Sequence, residues 1–183
     1  MMKKRAASSM LVMFVAVSIA SICQELVPPI RVGNVKAPFL LAVVSYYGMR
    51  REVGYAVIAA VWCAVVNDGL GMMPWGVSLL SFGAFSALCR LVFRRQMAES
   101  TFSCMISAVA GGMLTDVLQY AALLASGVYA AVPFHFLLMR LAVMAAAAFV
   151  VTGIVAGFVR YLDYTSSNAG FENDGDTFSW DSI

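Results

Sequence analysis

The sequence predicts an all-α polytopic membrane protein with about six transmembrane helices and both termini in the cytoplasm. Three observations predict it. Of the 183 residues, 62% are hydrophobic and only 12% are charged, whereas a water-soluble domain lies nearer half apolar and a quarter charged. The apolar residues form continuous runs, as over 141–159, not the alternating segments of about ten residues that build a membrane barrel. Backbone in hydrocarbon must satisfy its own hydrogen bonds, so these runs are helices. The third observation is the distribution of charge. With the N-terminus inside and the spans alternating, Lys3, Lys4, Arg5, Arg50, Arg51, Arg90, Arg94, Arg95 and Arg160 fall inside. Arg31 and Lys36 fall outside, and Arg140 lies within a span. Nine against two is a strong positive-inside signal; the net charge of +2 alone carries little.

The elements follow in order. A basic start at Lys3, Lys4 and Arg5 precedes an apolar run over 6–23. It is read as an uncleaved first helix, with a cleaved signal peptide as the other reading. A polar link with Pro28, Pro29, Gly33 and Asn34 leads to a short run over 37–49, whose Pro38 stands in the first turn, where proline is tolerated. Thirteen residues cover only about 20 Å, so Lys36 and Arg50 are expected to snorkel or the bilayer to thin. The third span runs over 54–73 and the fourth over 75–93, ending in arginines. The fifth covers 101–126 and the sixth 134–159. The transmembrane domain is therefore 1–160. An acidic cytoplasmic tail, 161–183, has five carboxylates and little apolar area, and is expected to be disordered. The small residues at 108–112 and 145–148 are expected to be helix-packing surfaces.

Charges inside spans are costly and are functional hypotheses by default. The candidates are Asp68, Asp116 and Arg140. Counted from the link between the fifth and sixth spans, Asp116 and Arg140 lie within about 5 Å of one level, so they are expected to pair across antiparallel neighbours. Asp68 is expected to accept hydrogen bonds from the backbone of the re-entering turn, with Gly69 or Gly71 in a left-handed cap. Pro74 and Trp75 are read as the start of the fourth helix. A short echo of Asp68-Gly69-Leu70 in Asp116-Val117-Leu118 hints at duplication. The four cysteines stand singly in apolar runs, and the one histidine, His135, is placed at an interface. No metal set, nucleophile–base spacing or phosphate loop is found, so neither an enzyme nor a cofactor is expected.

One stretch is more specific than composition. Ala37-Pro38-Phe39-Leu40 opens a short helix that carries Tyr46 and Tyr47 and ends at Arg50. The next helix runs into Asn67-Asp68, with Pro74 and Gly76 following at six and eight residues. This resembles the rod shape-determining protein MreD family, in which a proline opens a short second helix and an aspartate precedes a turn with proline and glycine. Family members often have glycines four and eight residues before the aspartate; here Ala64 and Ala60 stand there. The match covers about 40 of the 183 residues. The resemblance implies a non-enzymatic component of the elongation machinery in the bacterial inner (cytoplasmic) membrane. Such a component binds an MreC-like single-span protein and helps couple the MreB cytoskeleton to a peptidoglycan synthase complex. Asp68, Pro74, Trp75 and Gly76 would then flank the partner's seat. A nucleic-acid partner is not expected.

A different class competes. The substrate-binding membrane subunits of energy-coupling-factor vitamin transporters also have about six helices and many small residues. They require an outward-facing polar and aromatic pocket, whereas a scaffold requires a surface groove.

Overall fold

The computed structural model describes residues 2–31, 34–71, 76–93, 100–127 and 133–165. Within them the chain is all-helical. The elements are α1 (Met2–Leu26), α2 (Phe39–Arg50), α3 (Val53–Gly71), α4 (Val77–Leu88, continued by a π-helical turn over Cys89–Phe93), α5 (Thr101–Ala125) and α6 (Phe134–Thr165). Among the described residues four segments are long and apolar enough to cross a membrane: Ser9–Leu26, Val53–Leu70, Thr101–Ala125 and Phe134–Leu162. Val77–Val92 is apolar but shorter.

The packing is inverted relative to a water-soluble bundle. On α3 the buried face is Ala56, Ala59, Ala60, Cys63 and Ala64, while Val57, Ile58, Val61, Trp62 and Val65 are exposed. On α1, Ala16, Val17 and Ala20 turn inward; Leu11, Phe14, Ile19 and Ile22 turn outward. Large apolar side chains gain nothing by leaving lipid, so helices in a bilayer meet through small residues that let their backbones approach. The expected packing stretches do this in part. A side chain added at Gly111 of α5 would run into the Phe85 ring of α4, and one at Gly112 would meet Ala148 Cβ of α6 at 3.2 Å.

The short helix α2 occupies the centre. Every residue of α2 from Leu40 to Arg50 is buried, and α1, α3, α4, α5 and α6 all pack against it. A helix apolar on all sides is one enclosed on all sides. This changes the account of its ends. At about 18 Å it falls short of a bilayer core, but protein rather than lipid surrounds it. Arg50 is buried with its guanidinium 5.7 Å from the Tyr46 ring centroid instead of reaching outward, and Lys36 pairs with Glu25 at 2.8 Å. Ser45 fastens the helix to α5, donating to the Cys104 carbonyl at 3.0 Å and lying 2.8 Å from the Ser107 hydroxyl.

Several boundaries differ from expectation. Helix α1 includes the basic start and runs on to Leu26. The fourth helix begins at Val77, after Gly76; Pro74 and Trp75 lie outside the described residues. Neither Gly69 nor Gly71 is the left-handed cap, because α3 continues through both. That conformation falls on Gly76, at φ 96°, where the chain turns back into α4. Helix α6 continues to Thr165, past the expected limit at 160, since nothing in Tyr161-Leu162-Asp163-Tyr164 breaks a helix. The expected disorder of the tail concerns residues 166–183, which lie outside the described residues.

Candidate functional site

The polar side chains gather at the end of the bundle that carries the α1–α2 link and the α3–α4 turn. Pro38 precedes α2 and offers no side-chain cap, so the first amides of α2 must find acceptors elsewhere. Gln24, near the end of α1, supplies one: its Oε1 accepts from the Leu40 amide at 3.3 Å. Gln24 Nε2 donates to Asn67 Oδ1 at 2.9 Å, and Asn67 Nδ2 donates to Ser78 Oγ at 2.7 Å. Asp68 completes the chain. Its Oδ1 accepts from the Ser78 amide at 3.1 Å and its Oδ2 from the Gly76 amide at 2.8 Å. Asp68 thus acts as the side-chain cap of α4 across the turn, an arrangement that satisfies amides and favours a negative charge at a helix N-terminus. It is only 4% exposed, so it holds the turn rather than offering itself to a partner. Four helices are tied together by this relay.

The second feature is the ion pair. Arg140 of α6 donates from Nε to both oxygens of Asp116, at 3.1 and 3.0 Å, and from Nη2 to Oδ1 at 2.7 Å. The Asp116 side chain is 4% exposed and that of Arg140 25%. The pair is the economical arrangement for two intramembrane charges, because each is the other's counter-ion in a low-dielectric setting. Of the expected site residues, the structure brings Asp116 and Arg140 into contact and brings Asp68 to Gly76. The two aspartates of the echoed sequence play different parts, one capping a helix and the other pairing with arginine.

Between these features lies a cavity of about 280 Å³, bordered by Pro29 and by residues 34–38 ahead of α2. Asn67, Thr115, Asp116, Gln119 and Arg140 line it, over an apolar floor of Leu41, Phe82 and Met144. Sequence reasoning missed Gln24, Ser78 and Gln119. A polar residue within an otherwise apolar span was the available signal for Gln119, and the amide pairings of Gln24 are long-range contacts with no local signature.

The opposite end carries arginines. Arg90 Nη1 donates to the Arg51 carbonyl at 3.0 Å, and the π-helical turn brings Cys89 Cβ to within 3.1 Å of a side chain added at Gly48. Among the described residues no three of His, Cys, Asp and Glu come close enough together to hold a metal ion, and the four cysteines are free thiols. His135 is exposed at the start of α6. In comparisons with known proteins, the chain matches no family model, no curated protein and no solved structure.

Proposed function

We propose that this chain is a non-catalytic scaffold of the cell-elongation machinery in a bacterial inner membrane, similar in role to the MreD family. On this reading it receives the single transmembrane helix of an MreC-like partner and through it links an MreB-type cytoskeleton to a peptidoglycan synthase complex. The chain crosses six times, with the arginine end and both termini cytoplasmic and the Asp68 and Asp116 end outward; the basic split supports that orientation. Helix α2 makes its crossing inside the sheath of the other five.

The observation that carries the reading is an apolar groove of about 340 Å³ on the outer surface between α3 and α4. Val57, Val61, Leu79 and Leu91 form its walls, and Ala60, Gly83 and Ala87 lie between them. Gly83 and Ala87 are one turn apart and exposed, the spacing through which membrane helices approach one another most closely. The cap by Asp68 fixes where α4 starts, and so fixes the groove. The vitamin-transporter reading has the polar cavity in its favour. Among the described residues, however, Phe82 is the one aromatic side chain that lines it, and a vitamin-binding subunit requires an aromatic pocket.

The test is photo-cross-linking in cells that co-express the MreC-family protein. A photoreactive residue at Leu79 should capture that partner, and one at Phe158, exposed on α6, should not. Equal capture from both positions, or none from Leu79, refutes the reading.

A further inference from the structure

We propose that the cavity beside the Asp116–Arg140 pair binds a neutral group rich in hydroxyls or amides, about the size of one sugar ring. This goes beyond the scaffold reading and stands without it. The volume, about 280 Å³ where one water needs about 10–15 Å³, accommodates a single ring, and the open side of the cavity leaves space for a chain that carries it.

The neutrality follows from the charges. Among the described residues four ionic side chains line the cavity, and they are matched two by two: Asp116 with Arg140 at 2.7 Å, and Glu25 with Lys36 at 2.8 Å. An anionic or cationic ligand would meet each counter-charge already partnered, which weakens what an ionic contact offers it. What remains on offer is uncharged hydrogen bonding. Gln119 lines the cavity, is half-buried and makes no side-chain hydrogen bond among the described residues, so its carbonyl oxygen and both N–H groups are available. Gln24 and Asn67 each commit one amide N–H to the relay, which leaves each a second. Thr115 donates its hydroxyl proton to the Gly112 carbonyl at 3.1 Å and keeps lone pairs to accept. Donors and acceptors therefore converge over the apolar floor of Phe82, Leu41 and Met144. A ring with hydroxyls on its rim and C–H groups on its face matches both parts.

The experiment uses the full chain in phospholipid nanodiscs, without glycosidic detergents whose head groups would compete. Saturation-transfer NMR is read against glucose and N-acetylglucosamine, with glucose 6-phosphate and glucosamine as charged controls of similar size. A parallel arm places a glucosyl diacylglycerol in the nanodisc. The expected result is saturable transfer to the neutral sugars, at least about tenfold weaker for the charged ones, and lost in Gln119→Leu. That variant should keep the unliganded thermal midpoint, because Gln119 holds no other group in place. Transfer seen with the glucolipid alone supports the site and identifies a lipid head group as its source. Equal or stronger transfer to a charged analogue overturns the proposal. So does a signal that survives both Gln119→Leu and Thr115→Val, or no saturable transfer to any probe.

Discussion

Replacing Asp116 with Asn takes from Arg140 the carboxylate it pairs with, about 9 Å along α6 from its first residue. The geometry sets the magnitude. Three N···O contacts between 2.7 and 3.1 Å join the two side chains, and the carboxylate is almost fully enclosed. Removing one partner of a buried pair costs about 3–5 kcal/mol, chiefly because the remaining charge is stranded. Arg140 is partly open to the cavity, so the low end applies, about 3 kcal/mol. That amounts to on the order of a hundredfold in the folded-to-unfolded ratio. Arg140→Gln should cost about as much, because it strands the better-buried carboxylate. The double variant Asp116→Asn with Arg140→Gln strands nothing, and its amides can still hydrogen-bond each other. It should lie within about 1 kcal/mol of the parent, a coupling of about 5 kcal/mol between the two positions. The assay is thermal unfolding of the purified chain in nanodiscs, together with the yield of monodisperse protein. A double variant less stable than either single one refutes the reasoning, because it means that the charges do not neutralise each other.

Three further outcomes follow from the same packing. Asp68→Ala should loosen the α3–α4 turn at a cost of about 1 kcal/mol, the usual value of a helix cap; hydrogen exchange at the Gly76 and Ser78 amides should accelerate, and Asp68→Asn should recover part of the loss. Gly111→Ala should destabilise by about 1–3 kcal/mol through overpacking against Phe85, and Phe85→Leu introduced with it should restore part of that in the same unfolding assay; an additive double variant would show that the two residues do not meet. Reporter fusions after residues 97 and 165 should both read cytoplasmic, and a periplasmic signal from either would remove the six-crossing topology.

Much of the bundle was legible because hydrocarbon imposes a length and an apolar composition that few soluble helices share. The runs within α1, α3, α5 and α6 announced themselves in this way. The Asp116–Arg140 contact was legible for a related reason: two rare intramembrane charges at one depth on adjacent antiparallel spans have few other arrangements. The bond from Asp68 to the turn could be anticipated because an aspartate at a helix end has nearby amides to cap, but the glycine that turns the chain could not be chosen among Gly69, Gly71 and Gly76 without knowing how far α3 extends. The central position of α2 was hidden, since a short apolar run looks the same whether lipid or protein encloses it. The relay from Gln24 through Asn67 to Ser78 joins residues far apart in sequence, and no local pattern marks such a pairing. The Gly83–Ala87 groove was equally hidden, because a small residue facing outward and one facing inward are identical in a sequence.

The claim that this chain works by receiving a partner helix between α3 and α4 is tested most directly at Gly83. A side chain added there meets nothing within 4 Å, and leucine is a better helix former than glycine by up to about 1 kcal/mol. Gly83→Leu should therefore leave the yield and thermal midpoint of the isolated chain intact while filling the groove. Co-purification of the co-expressed MreC-family protein with the affinity-tagged chain is the measurement. The account predicts that the parent recovers the partner and that Gly83→Leu loses at least about tenfold of it, a change of about 1.4 kcal/mol. Undiminished recovery with Gly83→Leu, or a parent chain that recovers no partner, would contradict it.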